Sequence, residues 1–280
     1  MRLSGRHAVV TGGGTGIGAA IAVALAAEGA RLTLVGRRLQ KLEETATVAR
    51  FAQAKAQEAY EKRRKFAPEA LNQARQDIST SLETSGVVCV AADITDPVQV
   101  DVAFLEALLS NGPVTILVNN AGAAQGVPFA KVTQQLWRDM IAVNLDGLFL
   151  CCQAALTDLL AADQGRIVNI ASMAGLYGFA YAAPYIAAKH GAVGLTRALA
   201  AEYAKTGLRV NAVCPGFVDS DMTDGSVANI QATTGRSAEE AREGLAQLNP
   251  SGRLITPQEV AAVALDLILS ERNGEAVEIA

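Results

Sequence analysis

The sequence has no surplus of cationic side chains, no cysteines at metal-ligand spacing and no uninterrupted apolar run of membrane-spanning length. With 24 Lys and Arg against 28 Asp and Glu, its net charge is −4. That balance excludes a nucleic-acid partner, because phosphate-backbone binding requires Lys and Arg gathered in excess on one face. The four cysteines, Cys89, Cys151, Cys152 and Cys214, fall inside apolar runs and form no CxxC or Cys/His set. No metal site or disulfide framework is expected of them, and buried reduced thiols are. The opening MRLSGRHAVVTGG enters a strand almost at once, without an apolar leader. No later apolar run reaches about 18 residues, so no membrane partner is expected and the chain reads as cytoplasmic.

What is present is a chain of 280 residues, 50% of them hydrophobic, enough for one large core. Short β-branched runs alternate with longer Ala/Leu-rich segments of helical period. This pattern predicts strands at 7–11, 31–36, 87–91, 114–119, 165–171, 209–214 and 276–280. Seven strands with helices between them make an α/β, Rossmann-type doubly wound parallel sheet, covered by helices on both faces, as a single domain over 1–280. The stretch between the second and third strands, about 50 residues, is too long for a simple crossover. A helical hairpin inserted at about 45–83 is predicted there, with Pro68 starting its second helix. Its basic run, Glu61 to Lys65, is offset by Glu58 and Glu69, as on a solvated helix face. Residues 216–250, rich in Thr, Ser, Gly and Asp, read as a long substrate loop.

The stretch HAVVTGGGTGIGAAIAVALAAEGA runs strand, tight turn, helix. Gly12 lets the chain turn off the strand, Gly16 permits close approach to a pyrophosphate and Gly18 lets the helix pack on the sheet. A dinucleotide therefore fits the turn, with Thr15 and Ile17 among the residues facing it. An enzyme selecting NAD tends to carry an acid at the end of the second strand. Here Gly36, Arg37 and Arg38 stand there, which favours NADP(H) over NAD(H), with Arg37 the first choice as ligand of the 2′-phosphate.

Tyr185 and Lys189 in YIAAK share one helix face at i and i+4. An ammonium beside a phenol stabilises the phenolate, which makes the pair a tunable acid and base. Ser172 ends the strand GRIVNIAS, where ligands of open α/β sheets bind, and can donate to a carbonyl oxygen.

With TGGGTGIG at 11–18, NNAG at 119–122, Asn144, Ser172, YIAAK at 185–189 and PGFVDSDM at 215–222 in this order, the chain resembles the short-chain dehydrogenase/reductases. The resemblance spans nearly everything outside the hairpin. It implies that Tyr185 is the proton donor in ketone reduction, that Lys189 holds the nicotinamide ribose and lowers the phenol pKa, and that Ser172 polarises the carbonyl. Asn144 would hold a water relaying protons to Lys189. Asp93 would meet the adenine, Asn119 and Gly122 would flank the adenosine ribose, and Pro215, Gly216, Val218 and Ser220 would line the nicotinamide side. A homodimer or homotetramer built on the helices after the fourth and fifth strands is also implied. Relatives commonly continue through a glycine-rich tail past a strand such as GEAVEIA, so further residues are expected there.

The function expected is an NADP(H)-dependent oxidoreductase interconverting a ketone and a secondary alcohol. The general look of the chain is closest to the 3-oxoacyl thioester reductases. Phe129, Met173, Tyr177, Phe179, Tyr181 and Phe217 in the substrate segments favour a small hydrophobic or acyl ketone. The alternative is an NADP(H) sensor or scaffold docking a partner through the hairpin. His190 and His7 read as surface or interface residues, and Trp137 and Phe149 as core or subunit contacts.

Overall fold

A computed structural model describes residues 1–64 and 86–280. Seven parallel strands, β1 (His7–Thr11), β2 (Arg31–Gly36), β3 (Val87–Ala91), β4 (Ile116–Asn119), β5 (Arg166–Ile170), β6 (Arg209–Pro215) and β7 (Ala276–Ile279), lie in the order β3-β2-β1-β4-β5-β6-β7. All seven predicted strands are present, with ends differing by at most two residues.

Alternation along each strand decides which helices cover which face. Ala8 and Val10 of β1 and Leu32 and Leu34 of β2 join one core with helices α1 (Gly16–Ala27), α2 (Leu39–Arg64) and, at the other end of the chain, α9 (Pro257–Leu269). Val9, Val35, Leu117 and Ile167 point the other way. They pack against α3 (Pro97–Asn111), α5 (Gly147–Ala161) and α6 (Ala183–Glu202). The helix starts follow local chemistry: Asp96 accepts from the backbone N–H groups of Val98 and Gln99 ahead of Pro97, and Thr256 and Glu259 form a reciprocal cap on α9.

Four expectations are corrected. Residues 45–53 do not project from the sheet: Ala46 and Ala49 are buried, Thr45 Oγ1 donates to Gly14 O at 3.1 Å and an Arg50 Nη donates to Val87 O at 2.7 Å. The second helix of the predicted hairpin and the side chains of its basic run lie outside the described residues. The segment 216–250 holds two helices, α7 (Asp221–Thr234) and α8 (Ala238–Ala246). Their boundaries are set by left-handed Gly235 and by a reciprocal Ser237/Glu240 cap. The helical run 134–161, made of α4 (Gln134–Ile141), a π turn (Ala142–Asp146) and α5, is long and apolar enough to cross a membrane by composition. Charged residues interrupt it in the sequence, so no unbroken apolar stretch marks it there. Leu148, Cys151, Ala155 and Leu159 of this run pack into the core.

The fourth correction is His7, which is fully buried rather than on the surface. One ring nitrogen lies 2.8 Å from Gly112 O and the other 2.9 Å from Thr33 Oγ1, so the neutral ring satisfies both partners. Burial lowers its pKa to about 4. Between pH 6.5 and 4 the unfolded chain therefore binds the proton and the folded chain does not. Stability is intact above 6.5 and falls by up to roughly 3 kcal/mol as the pH drops through this window. The urea midpoint of the wild type should thus decline more steeply between pH 7 and 4.5 than that of His7→Gln; parallel declines would remove His7 from the acid sensitivity.

Candidate active site

The site forms along the C-terminal ends of the central strands. Leaving β1, Gly12 and Gly16 adopt left-handed φ values of +63° and +53°. A Cβ on Gly18 would stand 2.2 Å from Gly12 O, so the helix start must be bare to seat against the turn. Thr15 is the cap residue of α1 and makes no side-chain bond to the helix. The turn is braced from the side by Asn120, whose Nδ2 donates to Thr11 O and Gly12 O, both at 3.1 Å. Thr11 Oγ1 in return accepts from the backbone N–H groups of Asn120 and Ala121. Neither Asn120 nor Thr11 is singled out by sequence reasoning, although their place inside the NNAG and TGGG runs is a signal. This bare, braced turn at a helix N-terminus fits the pyrophosphate of a dinucleotide.

At the end of β2, Arg37 is exposed and has no partner among the described residues. Arg38 is the arginine placed against the turn, with an Nη 3.4 Å from Thr15 Oγ1 and 3.7 Å from an Asp221 carboxylate oxygen on α7. Of the two arginines, Arg38 is the one that reaches the turn, and Arg37 stands at its rim. Asp93 follows β3, and its Oδ1 accepts from the N–H and hydroxyl of Thr95 at 3.0 and 2.8 Å. Asn119 does not present its side chain to the dinucleotide cleft. Its Nδ2 turns inward to Asn169 Oδ1 at 2.9 Å and Cys152 Sγ at 3.3 Å.

Ser172, Tyr185 and Lys189 meet where β5 and β6 end. Ser172 Oγ accepts from Ala174 N at 3.1 Å and donates to Pro215 O at 3.4 Å, which aims the hydroxyl along the strand ends. Lys189, only 4% exposed, donates from Nζ to Ile170 O at 2.9 Å and lies 5.6 Å from the centre of the Tyr185 ring. Burial lowers its ammonium to about 8. Burial also holds the Tyr185 phenol above its ordinary value, and hydrogen bonding to Ser172 draws it partly back. The lowering of the phenol expected of Lys189 is not seen in this geometry, where burial is the larger influence. Asn144, 1% exposed, sits in the π turn with its Nδ2 donating to Ala123 O and Met140 O, both at 2.9 Å. Gly122 leaves the space that Asn144 and Lys189 share: a Cβ there would be 2.7 Å from Asn144 Oδ1 and 3.6 Å from Lys189 Nζ.

The loop after β6 is held by Asn249, a buried residue that no sequence motif marks. Its Oδ1 accepts from Phe217 N at 2.8 Å and its Nδ2 donates to Phe217 O and Arg253 O. Gly216 is required at this point, since a Cβ would stand 2.2 Å from Asn249 Oδ1. Val218 pairs with Ile255, and Ser220 caps α7 beside Gly16. Across the mouth, Val127 N donates to Tyr181 O at 2.7 Å and Asn229 Nδ2 donates to Gly126 O at 3.1 Å. Tyr181 adopts a left-handed φ of 66°, a strained setting for a side chain of its size. Among the described residues no three His, Cys, Asp or Glu side chains gather as metal ligands would. His190 is exposed, and Trp137 and Phe149 are partly exposed rather than core.

A family model described as short chain dehydrogenase matches residues 6–60 and 45–231. The granaticin polyketide synthase ketoacyl reductase 1 of Streptomyces violaceoruber is 37% identical, covering 94% of this chain and 86% of that protein. The D-beta-hydroxybutyrate dehydrogenase of Cupriavidus necator is 34% identical, covering 95% and 91%. A crystal structure of a single-site variant of the actinorhodin polyketide ketoreductase with NADPH superimposes with a TM-score of 0.83 at 32% identity, covering 100% of this chain and 97% of that one.

Substituting Asn249→Ala should leave the Phe217 N–H and two carbonyls without partners and cost roughly 2–4 kcal/mol. A calorimetric scan reads the loss directly; an unchanged melting temperature would show that other contacts hold the loop.

Proposed function

Because the chain belongs to the short-chain dehydrogenase/reductase family, we propose that it is an NADP(H)-dependent reductase of a hydrophobic acyl ketone, with Tyr185 as its proton donor. The observation that carries this reading is the convergence of Ser172, Tyr185 and Lys189 at the strand ends, with the phenol held above its ordinary pKa. A phenol so placed is protonated near neutral pH, the state a general acid needs.

The dinucleotide, when bound, supplies or takes up the hydride. The glycine turn at 12–18 would hold its pyrophosphate, and Pro215, Gly216, Val218 and Ser220 would line its nicotinamide side. Asp93 and Gly122 would border the adenosine. Arg38, with Arg37 at the rim, would hold a 2′-phosphate, since β2 ends in Gly36 and offers no acid to a ribose hydroxyl. Ser172 donates to the substrate oxygen and orients the carbonyl toward Tyr185, which releases its proton to that oxygen as charge develops there. Lys189 keeps a positive charge beneath the phenolate so formed, and Asn144 stands where the recovered proton would pass. In the reverse direction the phenolate takes the alcohol proton.

An apolar acyl ketone is favoured by Met173, Phe217 and Tyr181 around the mouth. The relatives named as ketoacyl reductases support the same class. Exposed Trp137 and Phe149 support an assembly through α5 and its neighbours, as a dimer or tetramer.

Two measurements test this reading. Tyr185→Phe should bind NADPH as the wild type does while losing about 1,000-fold in kcat on a short β-keto thioester; normal turnover would refute the role of the phenol. Arg38→Met should weaken NADPH about tenfold and spare NADH, since one charge-assisted hydrogen bond is worth about 1.5–3 kcal/mol. Equal effects of Arg38→Met on both coenzymes would sink the phosphate assignment.

A further inference from the structure

The interior between β4, β5 and α6 contains a line of buried polar side chains. Asn119 is 4% exposed, and Asn169 and Thr196 are fully buried. Asn119 Nδ2 donates to Asn169 Oδ1 at 2.9 Å, Asn169 Nδ2 donates to Thr196 Oγ1 at 2.9 Å, and Thr196 Oγ1 donates to Ala192 O at 2.8 Å. The line thus runs from β4 through β5 into the helix, and Asn119 Nδ2 also donates to Cys152 Sγ at 3.3 Å. The surroundings are apolar, with Ala155, Leu159 and Ala192 in the same core. A matched apolar pair at 169 and 196 would fill the space at little cost in stability, so stability alone gives no reason for polar groups here.

Their placement along the chain supplies one. Asn169 stands three residues before Ser172 on the same strand exit, and Thr196 stands seven residues after Lys189, two turns along the face that carries the reactive side chains. Among the side-chain bonds described, β5 and α6 are joined at two points only: Lys189 Nζ to Ile170 O, and Asn169 to Thr196. The first is not a fixed strut if Lys189 is to serve the coenzyme, because its ammonium must then exchange partners. The second depends on nothing that binds. Its geometry is also doubly determined, since Thr196 Oγ1 accepts from Asn169 and donates to Ala192 O, which leaves one rotamer. Apolar contacts between a helix and a sheet tolerate small sliding, whereas a buried hydrogen bond between short side chains does not.

We propose that Asn169 and Thr196 are a positioning pair that fixes helix α6 on strand β5 and so holds Tyr185 at the distance from Ser172 at which both hydroxyls reach one carbonyl oxygen. The proposal rests on the reading of Tyr185 as proton donor. A displacement of α6 by a fraction of an ångström leaves Tyr185 and Lys189 together, because they share the helix, and separates both from Ser172. The pair therefore acts on the chemical step and not on coenzyme capture.

The test is Thr196→Val, which keeps the volume and removes the hydroxyl, compared with Thr196→Ser, which restores it. With NADPH and a short β-keto thioester, Thr196→Val should lose about tenfold or more in kcat. Its KM and its NADPH dissociation constant by fluorescence titration should stay within about twofold of wild type, as expected when only a transition-state interaction is lost. The pH profile of alcohol oxidation should shift to higher pH, because the phenol loses the help of Ser172. Thr196→Ser should recover both turnover and profile. In a Tyr185→Phe background, Thr196→Val should cause little further loss. If Thr196→Val does not fold, Thr196→Ala assayed at low temperature gives the same readouts. A variant that loses melting temperature while keeping kcat and pH profile would overturn the proposal. A tenfold loss of turnover that Ser does not restore would also overturn it. Normal turnover in Tyr185→Phe would instead strike the reading beneath it and is scored separately.

Discussion

Helices leaving β1 and β4 on opposite faces of the sheet are the constraint on which the site depends. α1 returns over the core that contains Val10 and Leu34, whereas the α4 to α5 run returns over the core that contains Val9 and Leu117. Two neighbouring parallel strands whose exits diverge must leave a crevice at their C-terminal ends. Backbone groups there are unpaired by the sheet, and this chain braces them with short polar side chains: Asn120 and Thr11 at the first turn, Asn249 at the loop after β6. The reactive residues are then mounted on segments that have little freedom to move.

Electrostatics at the crevice follow from dryness. Lys189 and Tyr185 are both pressed toward their neutral forms by burial, one downward and the other upward. Since each neutral form is the one a low-dielectric site favours, the charged pair of phenolate and ammonium becomes worthwhile only when something stabilises it. A carbonyl oxygen gaining electron density beside Ser172 would take the phenol's proton, and the ammonium of Lys189 would then stand beside the phenolate left behind. Cys214, pushed up to about 11 by burial in the same region, stays a thiol and takes no part.

How much of this is legible in the sequence varies with the range of the interaction. Strands and the glycine turn are local patterns, and they appear where alternation and spacing put them. Residues 45–53 read wrongly as a projection because their partners, Gly14 and Val87, are distant in the chain and helical charge patterning cannot see them. His7 reads as exposed because a titratable ring at a strand start usually is; only the juxtaposition of Gly112 and Thr33 makes its burial tolerable. The helices at 221–246 are hidden by Thr, Ser and Gly, residues of low helix propensity whose capping roles matter more here than their preference for loops. Arg37 and Arg38 cannot be ranked from order alone, since the side chain that faces the turn depends on how α2 begins.

The π turn at Ala142–Asp146 has a consequence for how this fold can change. One extra residue within a helix rotates everything beyond it by about 100° relative to what precedes. Asn144 reaches Ala123 from within that turn, and Leu148 and Cys151 pack into the core beyond it. A single-residue deletion that restored ideal helical geometry would give a locally more regular element and a misdirected amide. Backbone regularity is here traded for aim, and stabilising substitutions drawn from helix propensity should spare these five positions.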